Sequence, residues 1–139
     1  MPFSVPVLDE VDYQKLTPER ATILCAAAFS AQGLDVERMG EVSVVLVSLS
    51  TIRDLNLKYR EIDSPTDVLS FVMDGPYGEM AGEVLVAPEY VRFEEALVEE
   101  LVVHGALHLA GMDHGDEFDG TEMAQVQEAV LRGVGVREG

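Results

Sequence analysis

Residues 95–114, EALVEELVVHGALHLAGMDH, are the most informative stretch of this 139-residue chain. Charged and apolar residues recur in it at helical spacing, and Gly111 is a natural helix end. His104 and His108 are one turn apart, so both side chains project from one face of the predicted helix. The stretch therefore predicts a helix that begins near Pro88, ends at Gly111 and carries a pair of imidazoles.

The third and last histidine of the chain, His114, follows soon after Gly111. A glycine at the bend lets the chain reverse, so His114 can return toward the helical pair as a third metal ligand. Three imidazoles at Zn–N distances of ~2.0–2.1 Å suit three corners of a tetrahedron and leave the fourth for water, as in catalytic zinc sites. We therefore predict one Zn²⁺ ion per chain. Asp113 is either an acceptor that orients an imidazole or a turn residue.

Over the whole chain, the order of predicted helices and strands indicates a single α+β domain, residues 1–139, with a small mixed β-sheet packed against several helices. The helix of the zinc site is followed by the glycine turn. The other predicted elements are a helix from Thr17-Pro18 to Phe29, a central buried strand Glu41–Leu49, a helix capped by Ser50 or Thr51 that includes Arg60, strands Asp67–Met73 and Glu83–Val86, and a last helix Phe118–Leu131.

The chain is strongly acidic, with 26 Asp and Glu against 9 Lys and Arg and a net charge of −17. This balance disfavours proteins that hold polyanions by a broad basic surface, and it disfavours docking on anionic membranes. We expect no membrane partner and no DNA partner. The single cysteine, Cys25, excludes an intramolecular disulfide framework. Together with the lack of a signal-peptide pattern, it predicts a cytoplasmic protein.

The histidine spacing equals that of the metzincin peptidases, in which a glutamate directly after the first histidine acts as general base. Here that position is Gly105, which cannot take or deliver a proton. The sequence therefore disfavours a peptidase.

Phosphoryl transfer instead needs positive charge beside the metal. Arg53, Lys58 and Arg60 lie in one short stretch, and the two arginines share a helical face. Exposed helical arginines are also commonly solvated or paired with acids such as Asp54 or Glu61, so this spacing alone does not assign them.

Three blocks between about Leu49 and Asp116 resemble a known family. They are residues 56–71 (NLKYREIDSPTDVLSF), 82–89 (GEVLVAPE) and 104–114 (HGALHLAGMDH). They resemble the N-x-x-[YF]-R-x-x-[DN]-x-P-T-D-V-L-S-F, G-D-I-x-I-S-x-E and H-G-x-L-H-L-x-G-x-D-H motifs of the YbeY family of bacterial rRNA-maturation endoribonucleases. Gly105 matches that family's own residue. The departures, none at a proposed ligand, are Val72 for proline, Glu83 for aspartate, Ala87 for serine and Met112 for tyrosine.

The resemblance implies that His104, His108 and His114 hold zinc and that Arg60 is an active-site cation, these four forming the catalytic set. It implies metal-dependent, single-strand-preferring RNA cleavage in maturation of the small-subunit rRNA 3′ end and in ribosome quality control. Water or the 2′-hydroxyl would be the nucleophile. Two alternatives stay open: a zinc hydrolase of another substrate, and a non-catalytic ribosome-assembly factor whose zinc only holds the helix end to the loop.

The negative net charge of the chain also limits how RNA can reach the predicted zinc site. Residues 79–139 carry 14 acids against 3 bases, so the local positive charge is the zinc with Arg53, Lys58 and Arg60. We expect weak affinity for free RNA with strong salt dependence, and delivery of rRNA by the ribosome or by a basic small-subunit ribosomal protein.

Overall fold

A computed structural model describes residues 2–115 and 117–137, so Asp116 and both ends of the predicted domain lie outside the described residues. The strands of this part are β1 (Val7–Asp9), β2 (Val42–Leu46), β3 (Val68–Asp74) and β4 (Met80–Val86). Its α-helices are α1 (Pro18–Ala31), α2 (Leu49–Arg60), α3 (Glu95–Leu109) and α4 (Glu122–Gly133). None of the described helices is both long and apolar enough to cross a membrane.

The strands form one mixed sheet in the order β1-β2-β4-β3. β1 is parallel to β2 and β2 to β4, whereas β3 runs antiparallel to β4. Every residue of β2 is buried, because this strand has a neighbour on each side and helices over both faces. The α+β class and the central position of this strand are therefore confirmed.

Alternate side chains of the central strands serve two cores on opposite faces of the sheet. Val44 and Val84 belong to the larger core, which they share with α1, α3 and α4. Val45 and Leu85 face the smaller core, which they share with Ile52 of α2. α3 thus lies against the β3–β4 side of the sheet, and the edge strand β3 and α3 form two walls of a cleft.

The predicted start of α2 is wrong by a short step. Its N-cap is Ser48, whose Oγ accepts a hydrogen bond from the N–H of Thr51 at 3.1 Å, rather than Ser50 or Thr51. By contrast, Thr17 caps α1 as predicted, accepting from the N–H of Arg20 at 3.1 Å. Serine and threonine oxygens near a helix start compete for one capping position, so composition alone does not choose between neighbours.

The helix predicted from Pro88 is two elements. Pro88–Val91 form a 3₁₀ turn, and α3 begins only at Glu95. Arg92 and Phe93, with φ of 56° and 59°, adopt the left-handed conformation and separate the two. Similarly, α4 begins at Glu122 after the N-cap Thr121, not at Phe118. The three-residue strand β1 was not predicted, because it is too short for a hydrophobic period to be visible.

Candidate metal centre

The first two histidines lie in the C-terminal half of α3, where the other side chains are buried. His104 and His108 are half-buried, while the residues between them, Gly105, Ala106 and Leu107, are buried. The helical repeat places both imidazoles on the cleft side, and their Nε2 atoms lie 3.1 Å apart. α3 therefore presents two ring nitrogens as a preformed pair.

Gly111 returns the chain to this pair. Its φ of 98° lies in the left-handed region that favours glycine, and it directly follows the helix cap Ala110. The ring of His114 then lies 5.2 Å, centre to centre, from the ring of His104 and 5.2 Å from that of His108. One ring nitrogen from each histidine lies within 4.8 Å of the others, a group that can hold a metal ion.

The hydrogen bonds of the two helical imidazoles fix which nitrogen carries the proton. Nδ1 of His108 lies 2.9 Å from the carbonyl oxygen of Met112, and Nδ1 of His104 lies 2.7 Å from Oε1 of Gln127. Both partner oxygens can only accept, so each Nδ1 is the N–H donor. In the neutral rings, each Nε2 therefore carries a lone pair, and the two lone pairs face each other.

Two facing lone pairs repel unless a proton or a cation lies between them. Burial is the main cause that lowers the pKa of both His104 and His108 below its usual value, which disfavours the extra proton. In a tetrahedral zinc site, neighbouring nitrogens lie ~3.3–3.4 Å apart, given Zn–N bonds of ~2.0–2.1 Å. The observed Nε2–Nε2 separation of 3.1 Å is close to that spacing, so these residues fit a divalent cation.

The hydrogen bonds of His114 differ from those of the two helical imidazoles. Nδ1 of His114 is buried and has no hydrogen-bond partner among the described residues. The carboxylate of Asp113 accepts from the backbone N–H of His114 at 2.8 Å. Of the two roles considered for Asp113, this contact supports the turn residue, since the carboxylate stabilises the loop backbone.

The histidines line a cleft of about 810 Å³ between α3 and β3. Among the described residues, Arg60 is the only lysine or arginine in its lining, and no acidic side chain pairs with it. Asp67 and Glu100 also line the cleft.

The three cations expected to act together do not all reach this cleft. Arg53 donates to Asp63 at 2.8 Å, and both residues line a separate small pocket. Lys58 lies 5.2 Å from the ring centre of Tyr59 and is not in the cleft lining. Within the described part of the chain, Arg60 is therefore the only one of these three cations that lines the cleft with the histidines.

Gly105 is required by packing. A Cβ atom at this position would lie 2.4 Å from Cγ1 of Val84 and 3.1 Å from both Oγ of Ser70 and Cγ2 of Val68. The Ser70 hydroxyl also donates to the Gly105 carbonyl at 2.8 Å. A glutamate here, the general base of a metzincin, would have to displace the sheet, so α3 approaches the strands only because the side chain is absent.

Sequence reasoning missed Gln127, which contacts His104 from α4. The buried side chains of this helix are Met123, Gln127, Val130 and Leu131, so a glutamine interrupts an otherwise apolar face. A polar residue at a core position was the available signal, because a buried amide needs hydrogen-bond partners. The sequence could not name that partner, which lies 23 residues away.

Comparison with known proteins finds relatives that cover nearly the whole chain. A family model described as Endoribonuclease YbeY matches residues 8–135. The chain is 58% identical to Endoribonuclease YbeY of Rubrobacter xylanophilus, over 96% of this chain and 98% of that protein. It is 38% identical to Endoribonuclease YbeY of Azorhizobium caulinodans, over 95% of this chain and 92% of that protein.

A Thermotoga maritima protein of known solution structure has a similar fold. Its TM-score is 0.59 at 31% identity, over 94% of this chain and 88% of the other. Family model, relatives and fold agree over nearly the whole chain, and the chain belongs to the endoribonuclease YbeY family.

Proposed function

We propose that this protein is a metal-dependent endoribonuclease that cuts single-stranded RNA, with one Zn²⁺ ion held by His104, His108 and His114. The main observation behind the proposal is that Nε2 of His104 and Nε2 of His108, each with a lone pair, lie 3.1 Å apart in the cleft. The imidazole of His114 lies beside them. The names of the relatives support RNA as the substrate.

The donor set suits a catalytic centre. Three imidazoles leave one coordination position for water or substrate, and no cysteine lies near enough to close a structural cage, since Cys25 is buried in the core. A bound zinc ion would supply a Lewis acid for a phosphate oxygen and lower the pKa of a coordinated water. Water or the 2′-hydroxyl of the RNA would be the nucleophile.

Arg60 would bind the scissile phosphate. It ends α2, its side chain is exposed in the cleft, and no acid among the described residues competes for it. Its planar guanidinium can donate two parallel hydrogen bonds to non-bridging phosphate oxygens. Charge that develops on those oxygens in the transition state would be stabilised by the same contact.

The proposed substrate is rRNA, at the 3′ end of the small-subunit RNA and in ribosome quality control, in the cytoplasm. A net charge of −17 repels free RNA, which supports delivery on the ribosome or by a basic small-subunit ribosomal protein. The packing of Gly105 leaves the peptidase alternative without a general base.

Single-turnover cleavage of a small-subunit rRNA 3′ fragment tests the proposal. We compare the wild type with His108→Ala, Arg60→Glu and the matched control Arg53→Glu, which makes the same charge change on the same helix outside the cleft. We expect cleavage by the wild type and by Arg53→Glu, and its loss in the other two with folding retained. Chelation should abolish cleavage and Zn²⁺ should restore it.

Equal cleavage by all four proteins would mean a contaminating nuclease and would overturn the proposal. Absence of cleavage by any of them, together with unfolding of the metal-free protein, would instead support an assembly factor with a structural zinc. Equal loss in both arginine variants would remove the specific role of Arg60.

A further inference from the structure

Gln127 is one of the few buried polar side chains in the described residues, with 4% of its surface exposed. It lies on α4, and its Oε1 is 2.7 Å from Nδ1 of His104 on α3. Burial of an amide costs free energy unless both its ends are hydrogen-bonded, so each end of this side chain calls for a partner.

The NH₂ end of the Gln127 amide faces the carboxylate of Glu100. Nε2 of Gln127 donates to Oε1 of Glu100 at 3.4 Å, and Oε2 of Glu100 accepts from Nη2 of Arg137 at 2.7 Å. A carboxylate can only accept, so the NH₂ end of the amide must face Glu100 and the carbonyl end must face His104. The orientation of the amide follows from this network of partners.

We propose that Gln127, oriented by Glu100 and Arg137, is a positioning residue that holds His104 in the tautomer and ring orientation needed for metal binding. This inference rests on the proposed function, in which Nε2 of His104 is a metal ligand. The hydrogen bonds converge on Glu100: Arg137 and Gln127 each donate to its carboxylate, and His104 donates to the carbonyl end of Gln127. The proton of His104 is thereby placed on Nδ1, and Nε2 keeps its lone pair.

The contrast with the other imidazoles shows what Gln127 adds. His108 is held by a backbone carbonyl of its own loop, at Met112, which no side-chain substitution removes. His104 depends instead on one side chain from another helix. Partners that hold the second nitrogen of a metal-binding histidine affect metal affinity by about 10- to 100-fold when they are removed.

The test compares Gln127→Met, which keeps the side-chain length but removes the acceptor, with Gln125→Met, the same change at an exposed position of α4. Zn²⁺ affinity is measured by competition with a chromophoric chelator, and the ligand field by the visible absorption of the Co²⁺-loaded protein. We expect Gln127→Met to weaken Zn²⁺ binding by about 10- to 100-fold and to change the Co²⁺ spectrum. Gln125→Met should match the wild type in both.

A double variant that exchanges the amide and the carboxylate, called the swap below, provides a second test that leaves no cavity in the core. In Gln127→Glu with Glu100→Gln, the new carboxylate can accept from His104, and the new amide can donate to it while accepting from Arg137. The net charge is unchanged. We expect Zn²⁺ affinity within about threefold of the wild type or tighter, so that loss of affinity in Gln127→Met and its recovery in the swap together assign the effect to the acceptor facing His104.

Wild-type Zn²⁺ affinity and an unchanged Co²⁺ spectrum in Gln127→Met would overturn the positioning role, as would failure of the swap to recover affinity. His108→Ala separates this from failure of the metal site itself. If the wild type binds Zn²⁺ no better than His108→Ala does, both the proposed function and this inference fail. If only His108→Ala loses binding, the metal site stands and Gln127 has no part in it.

Discussion

At the scale of single residues, Gly105 shows how the site and the core share one position. Its neighbours in sequence are a proposed ligand and a core alanine, and its missing side chain lets α3 lie against Val84. The hydroxyl of Ser70, which lines the cleft, donates to its carbonyl. One glycine therefore sets the distance between the two walls of the cleft.

We expect Gly105→Ala to lower the free energy of unfolding. The added methyl group would lie 2.4 Å from a methyl of Val84, which is fully buried. Overpacking of this kind costs about 1–3 kcal/mol, offset by at most about 1 kcal/mol from the better helix propensity of alanine. Urea unfolding of the metal-free protein measures the difference.

Gly133→Ala is the matched control, because a Cβ there, at the end of α4, meets no atom within 4 Å. Its stability should be unchanged or slightly raised. Val84→Ala should cost less in the Gly105→Ala background than in the wild type, because it removes the clash. Equal stability of Gly105→Ala and the wild type would show that α3 does not need this close approach.

At the scale of elements, one arginine joins three helices on the face of the sheet that carries the site. Arg20 of α1 donates through Nε and Nη2 to the carboxylate of Glu99 on α3, at 2.8 and 3.0 Å. Its Nη2 also donates to the carbonyl of Val134, the C-cap of α4, at 2.8 Å. The helices that carry His104 and Gln127 are thus held to the same anchor.

We expect Arg20→Lys to lower the free energy of unfolding by about 1–3 kcal/mol, because lysine keeps the charge but cannot make the paired contact and the third bond together. Arg53→Lys makes the same change in an exposed pair with Asp63 and should leave the urea midpoint unchanged. Equal effects of the two substitutions would show that Arg20 contributes only charge.

At the scale of the whole molecule, an acidic protein must act on an acidic polymer. The sequence suggested three cations beside the metal, but in the described part of the chain only Arg60 lines the cleft. The strong salt dependence expected from the sequence rested on several cations that bind phosphates together. With one arginine and one metal ion, few phosphates are neutralised, and we now expect a shallow dependence.

Binding of a labelled single-stranded RNA, followed by fluorescence anisotropy between about 50 and 200 mM KCl, measures this dependence. We expect weak binding with a slope of log K against log salt no steeper than about −2, at about −0.7 per neutralised phosphate. Arg60→Gln should make the slope shallower by about 0.7, and Arg53→Gln should not change it. A slope of about −4 or steeper would require a basic surface that the described residues do not provide.

Local sequence patterns predicted part of the fold and of the site, and long-range packing determined the rest. The three histidines were predictable because their spacing is local and a helix followed by a glycine turn fixes their geometry. The central strand was predictable because burial on both faces leaves a continuous apolar run. Gln127 and the pairing of Arg53 with Asp63 depend on how distant segments meet, which no local period encodes.

The three imidazoles are held unequally, so they would release a bound metal ion one after another rather than together. His104 and His108 lie on one buried helix, and each Nδ1 is held, so their spacing does not depend on a bound ion. His114 lies beyond Gly111, and its Nδ1 has no partner among the described residues. Because a loop rather than the helix carries His114, departure of a bound ion would begin with this ring.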